Sequence, residues 1–488
     1  VPNNLLIRYY SVDGVLFDKG KLDEQTGGDA SIICVPMSKV GTFTIPDGVA
    51  TITASVFENR KISAINIPAS VTHIGDKAFA NCVNLSAVNF IDAEKDGVGL
   101  VIASRAFVGC TAIEEITLPK RLEDVRLLKY VLIDETSSQD AHVETSNERT
   151  ITDSFAGCTS LVGIKVAAGC KNYASVDGIL TNAAKTNILY APAGLSGSYS
   201  VPAGIQSVED GAFLKTAVEE LELPAWVSEV GECAFYDCEK LVSVKFTSSG
   251  GRAITIGKYA FRQCVALAEL GFDDGSNVQT ISRGAFLGCT ALKEVTLPSA
   301  VKIIDDYAFR NCTSLLKMSI IDAANDNTLT FGEEIVGNCS KLTSFYVPRQ
   351  AINFPSFAGN GALTDIKISE QNPNFSGGSA TDIVYDKTGT ILLLYPLMGA
   401  TEFVVPENVV EIGNNAFKGR SIQKITIGKN VTKIGDGAFS GCLDLKEVKF
   451  EAGGTENLVI GANAFEKCPS LSSFTVTART SEIGASAF

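Results

Sequence analysis

Short runs of alternating apolar and polar residues recur along the chain, each closed by proline or a turn. In residues 218–223 (VEELEL) the apolar positions fall in the order L-x-x-L-x-L, the mark of a short strand with one face buried. Proline follows because the strand has ended and the chain must turn. The next seven residues, 225–231, place Val227 and Val230 inward. Residues 232–238 then pack Phe235 into the core on a single helical turn, before Leu241 opens the next strand. Fourteen such strands are predicted, with three more that follow hairpins, stacked in parallel about 4.8 Å apart.

The pattern repeats in register. Residues 297–315, LPSAVKIIDDYAFRNCTSL, hold its landmarks: Leu297-Pro298, Val301, Ile304, Ala308-Phe309, Cys312 and Leu315. Proline precedes phenylalanine by 11 residues here and at Pro46/Phe57, Pro68/Phe79, Pro202/Phe213, Pro224/Phe235 and Pro406/Phe417. A period of this size predicts a solenoid, in which each unit buries its apolar edge only against its neighbours. Length therefore adds rungs, and the 488 residues need not divide into separate globular domains.

Three stretches depart from the rung pattern: residues 9–36, 173–192 and 375–396. Each reads as a β-hairpin, two apolar strands around a turn rich in Asn, Asp, Gly or Lys. They divide one continuous solenoid into modules at 1–170, 171–371 and 372–488. A different interruption lies at 120–153: Pro119 to Phe155 takes 36 residues where 11 serve elsewhere, an excess of 25. Residues 122–132 read as a short amphipathic helix within it, and the rest as a loop that either carries binding or is simply tolerated.

Composition narrows the function. At 45% hydrophobic and 20% charged the chain supports a continuous core, and its net charge of −14 argues against nucleic acid as partner. No run approaches the roughly 18 apolar residues of a membrane span. Ten of the thirteen cysteines occupy one place in the repeat, three residues after the phenylalanine or, for Cys339, after Val336. That placement predicts small buried hydrophobes filling a site too tight for leucine. No CxxC pair exists, so no metal site and no cofactor are expected. His73 and His142, the two histidines, lie in different rungs, and no nucleophile–base set or phosphate-binding motif is present. No catalytic residues are assigned. The acidic loops at 273–275 and 322–327 lack the alternating ligand spacing of a calcium loop and read as solvated turns.

The repeated LPxxVxxIGxxAFxxCxxL, nearly whole in residues 67–85 and 427–445, resembles the BspA-type leucine-rich repeat. The resemblance implies a right-handed α/β repeat solenoid, with parallel strands on a concave face, short strands and helical turns on the convex side, and hairpin insertions. It also implies export, with a signal or lipoprotein segment removed from the numbered chain, and a place at the cell surface or outside the cell. A host or extracellular-matrix protein is then the expected partner. A glycan partner is the alternative, and an enzyme using the 120–153 insertion a second one. Gly428 in place of proline, Val336 in place of phenylalanine and Phe357 without its cysteine depart from the motif and predict irregularity around 330–365. With no catalytic set in view, the expected binding surface is the concave sheet, and its candidates are Lys165, Glu222, Lys245, Tyr346, Lys367 and Lys449. That face is polar and nearly free of aromatic residues, so a solvated sheet without a ligand also fits.

Overall fold

A computed structural model describes residues 9–19, 30–92, 99–127, 153–247, 252–325, 327–357, 359–377, 383–395 and 400–488. Among them every regular element is a strand, which makes the protein a β-solenoid of stacked parallel strands and corrects the α/β expectation. The chain divides into two compact units, Val1–Leu241 and Val242–Phe488.

The phenylalanine turn explains why no helix forms. Tyr307 and Asn311, two residues either side of Phe309, have φ of 58° and 62°. Lys77 and Asn81 do the same around Phe79, and Gly284 and Gly288 around Phe286. Left-handed residues at this spacing stop a right-handed helix from propagating. The amides of the turn instead fall into two sets. Ala308, Arg310 and Cys312 donate to carbonyls three residues back, while Tyr307, Phe309 and Asn311 donate to Glu333, Ile335 and Gly337 of the next rung at 2.7–2.9 Å. In the first unit Ser55, Phe57 and Asn59 donate likewise to Asp76, Ala78 and Ala80. Each left-handed non-glycine residue costs roughly 1–2 kcal/mol. Each amide that the ladder pairs offsets about 0.5–1.5 kcal/mol of that cost.

Each rung also contributes to two sheets. The longer strands pair in parallel, as Val40–Thr44, Lys61–Ile67 and Ala87–Phe90 do in the first unit. In the second, Glu294–Leu297, Lys317–Ile320, Ser344–Val347 and Asp365–Ile368 form such a sheet. Strands of two to five residues form the other sheets, for example Ile303–Ile304 beside Thr330–Phe331. Between them the phenylalanine rings stack: Phe57, Phe79 and Phe107 at 5.0 and 5.1 Å, and Phe261, Phe286 and Phe309 at 5.2 and 5.0 Å. The regular stack fails near 345–357, where Phe345 meets Phe357 edge-on at 74°, within the region that the motif departures single out.

The cysteines are more than volume. At least nine of the ten lie with Sγ against the carbonyl of the phenylalanine one rung back, from 2.9 Å for Cys82 to Phe57 to 3.3 Å for Cys312 to Phe286. That carbonyl already accepts the amide three residues on in its own turn, such as Arg60 N–H at Phe57. The thiol fills its second lone pair. All thirteen cysteines are free thiols. Burial pushes the thiol of Cys82 up to about 11 and that of Cys158 to about 12, which keeps both protonated as donors.

The segments read as two-stranded hairpins are antiparallel triplets. Tyr9–Val12, Val15–Asp18 and Ala30–Cys34 form the first. Tyr173–Val176, Ile179–Asn182 and Asn187–Tyr190 form the second, and Phe375–Gly377, Val384–Asp386 and Ile391–Leu394 the third. The last strand of each pairs in parallel with the next rung, so the triplet begins a sheet. The first phenylalanine turn after each triplet has no phenylalanine carbonyl behind it, and its cysteine place is taken by Arg60, Thr216 or Arg420. Arg60 Nε reaches Val35 O at 2.9 Å and Arg420 Nε reaches Tyr395 O at 3.0 Å. In the 120–153 stretch, Leu122–Val125 is a strand paired with Leu100–Ile102, which corrects the helix expected there. Residues 128–152 lie outside the described residues.

If the thiol bond matters beyond volume, Cys312→Ala is expected to cost about 2 kcal/mol in urea denaturation, and Cys312→Ser, which keeps a donor, less. A serine variant less stable than the alanine one would reduce the cysteine to a small hydrophobe.

Candidate interaction surface

The exposed side chains of the longer strands stand in two columns, because successive residues point to opposite faces of a strand. In the first unit the second column opens as a polar ladder: Asn66 donates to Thr44 Oγ1 and Asn89 donates to Asn66 Oδ1, both at 2.8 Å. Lys165 follows beside Thr117 and forms a 2.6 Å ion pair with Glu115 of the first column. Glu222 lies opposite Ser200 and faces solvent near Glu220, which accepts from Ser198 Oγ at 2.6 Å.

The second unit follows the same logic. Lys245 meets Asp273 at 3.2 Å, Lys367 meets Asp365 at 3.3 Å and Lys449 meets Glu447 at 3.2 Å. The four candidate lysines are therefore neutralised by carboxylates close by. Such exposed pairs contribute at most about 1 kcal/mol each. Of the six candidates, the structure brings together Tyr346 and Lys367, which are register partners on adjacent strands. The other four occupy separate positions along the columns.

Sequence reasoning missed what holds Tyr346. Its hydroxyl donates to Asp322 Oδ2 at 2.9 Å, and Ser369 Oγ donates to the same oxygen at 2.9 Å. Asp322 Oδ1 accepts the Arg349 amide at 2.8 Å. Asp322 belongs to the acidic loop read as a solvated turn, and its carboxylate is bound to protein on both oxygens. A lone tyrosine beside an acidic loop was the available signal, but the distance between them in sequence hid it.

Among the described residues no group of three or more His, Cys, Asp or Glu is placed to hold a metal ion, and no helix is long and apolar enough to cross a membrane. His73 is exposed on the strand His73–Ile74, and His142 lies outside the described residues.

The BspA type leucine rich repeat region matches residues 100–175, 197–316, 254–379 and 396–488, in six copies. The chain belongs to the BspA-type leucine-rich repeat family. No curated protein matches it. Among solved structures it is similar to a leucine rich cell surface protein from Faecalibacterium prausnitzii A2-165, with 22% identity and a TM-score of 0.50 over 64% of this chain and 84% of that one. A leucine-rich repeat protein from Bacteroides ovatus ATCC 8483 is 22% identical, with a TM-score of 0.44 over 74% of this chain and 95% of that one.

Among the described residues of this BspA-type chain one carboxylate is buried. Asp153, two residues before Phe155, accepts the Phe155 amide at 2.8 Å and the Tyr190 hydroxyl at 3.0 Å. Burial pushes its carboxyl up to about 6, against the lowering effect of those two donors, and pushes the Tyr190 hydroxyl well up. Each residue of the pair is 5% exposed, and the arrangement is structural: it ties the second triplet to the rung before it. Because the folded value exceeds the unfolded 3.8, its contribution is most favourable at low pH and is lost as pH rises through about 6. Relative to Asp153→Asn, the wild-type protein is expected to lose about 2.4 kcal/mol between pH 4 and 7 in denaturant titrations. Parallel pH profiles for the two proteins would contradict this.

Proposed function

We propose that this protein is a non-enzymatic cell-surface or secreted module whose longer-strand face binds a protein partner, with host or extracellular-matrix proteins as the partner class. The observation that carries the reading is the fixed pair Tyr346–Lys367. Tyrosine is favoured at protein interfaces, and this one has its hydroxyl held by Asp322 and its strand locked in the sheet. A side chain ordered before binding loses less entropy on contact. The paired lysines mean that contact there relies on shape and hydrogen bonding rather than on a net field. The solved relative described as a cell surface protein supports the placement. A long repeat scaffold with a broad ordered face suits the same task.

The test is an array of matrix proteins, mucins and glycans probed with the intact protein, a 130–150 deletion and the double variant Tyr346→Ala with Lys367→Glu. Saturable protein binding that survives the deletion and falls by at least about tenfold in the double variant is the expected result. Circular dichroism of the double variant checks that its fold persists. Binding lost with the deletion alone would move the site to the insertion, and binding confined to glycans would overturn the reading.

A further inference from the structure

The end of a longer strand is commonly tied to a neighbouring rung by one of two backbone bonds. Where a long corner follows, the next residue donates back to the strand before: Ile91 to Ile67 O, Asp273 to Phe246 O and Ile321 to Leu297 O, at 2.9–3.0 Å. Where proline follows, no N–H is available there, and the residue before the proline donates forward instead. Ile45 does so to Asn66 O at 3.0 Å, and Val201 to Glu222 O at 3.1 Å.

One join in the second unit has neither bond. Phe272 opens a long corner, and Pro298 follows the next strand. Glu269–Phe272 and Glu294–Leu297 lie in different sheets, and among the described residues no backbone hydrogen bond joins 266–273 to 290–298. The Thr290 hydroxyl crosses the join, donating to Val265 O at 3.3 Å. The same order of corner and proline occurs at Phe90/Pro119 and Ile320/Pro348, and there each join carries a strap. Asp92 accepts the Lys120 amide at 3.1 Å, and Asp322 accepts the Arg349 amide at 2.8 Å. Each aspartate lies two residues past the strand, and each amide directly after the proline. Asp274 and Ser299 stand at the matching places. Here Asp274 is exposed, and neither its carboxylate nor the Ser299 amide makes a hydrogen bond among the described residues.

We infer that Asp274 is a latch on the longer-strand face of the second unit, open in this structure and closed when its carboxylate takes the Ser299 amide. The turn ladder crosses the same join unbroken: Gly284, Phe286 and Gly288 donate to Asp306, Ala308 and Arg310 at 2.7–2.9 Å. The short strands pair across it as well, Thr280 with Ile303 and Ile281 with Ile304. The rungs are thus hinged along those two edges and part only at the longer strands, which changes the curvature of that face. Gly275, next to the latch, has a φ of 79° and open space where a Cβ would stand, so the corner has room to swing. One exposed hydrogen bond separates the two arrangements by a small free energy, so both are populated.

Methyl relaxation-dispersion NMR on the intact protein tests the latch, because it reads exchange between conformers on the microsecond-to-millisecond scale. Dispersion is expected at the Leu270 and Val295 methyls, which flank the join, and not at those of Val244 and Met318. Asp274→Ala should remove the closed arrangement, moving the Leu270 and Val295 resonances to the open end and quickening exchange of the Ser299 amide proton. Pro298→Ala supplies an N–H that can donate to Phe272 O, so it should move the same resonances the opposite way. Asp274→Asn keeps an acceptor and should retain the wild-type positions. No dispersion at Leu270 and Val295, or equal dispersion at Val244 and Met318, would overturn the inference. So would resonances that stay in place in Asp274→Ala, or that move the same way in Asp274→Ala and Pro298→Ala. These outcomes are independent of partner binding at Tyr346.

Discussion

Both units depend on one constraint at the phenylalanine turn: the backbone must point alternate amides along the stack. Three amides per turn reach the next rung, as Tyr307, Phe309 and Asn311 do, and this requires a left-handed residue on each side of the ring. Once that geometry is set, much else follows. The rings stack about 5 Å apart because the ladder fixes the rung spacing, as with Phe286 and Phe309 at 5.0 Å. The phenylalanine carbonyl is left with a free lone pair facing the next rung, and a thiol three residues after the next ring reaches it. An alanine there could fit but could not donate.

The same constraint accounts for the glycine of the motif, which follows Phe331 in this rung. A Cβ on Gly332 would lie 2.4 Å from the Asp306 amide of the rung before, so the two backbones approach too closely for any side chain. Asp306 in turn caps the Glu333 amide at 2.7 Å. Motif and geometry thus meet at one place, where two rungs touch backbone to backbone.

The rung, its strand and its buried columns were legible in the sequence because burial imposes a strict period on residue type. The turn was not. Lys77 and Tyr307 are poor candidates for left-handed backbone by type, and only the inter-rung bonds explain why they adopt it. A six-residue turn holding a buried phenylalanine therefore looked like one turn of helix. The replacement of cysteine by Arg60, Thr216 and Arg420 was visible in the sequence, but its meaning depends on what lies one rung back. The surface was least legible. A column of exposed residues could be counted, yet ion pairing and the Asp322 network arise from side chains far apart in sequence.

The claim that the turn ladder holds the rungs together is tested most directly by amide hydrogen exchange resolved to single residues. The amides of Tyr307, Phe309 and Asn311 are expected to exchange as slowly as that of Met318 in the longer-strand sheet, and the exposed Asn325 amide far faster. Exchange at the three turn amides as fast as at Asn325, with Met318 still protected, would show that the sheets alone hold the stack and would contradict the account.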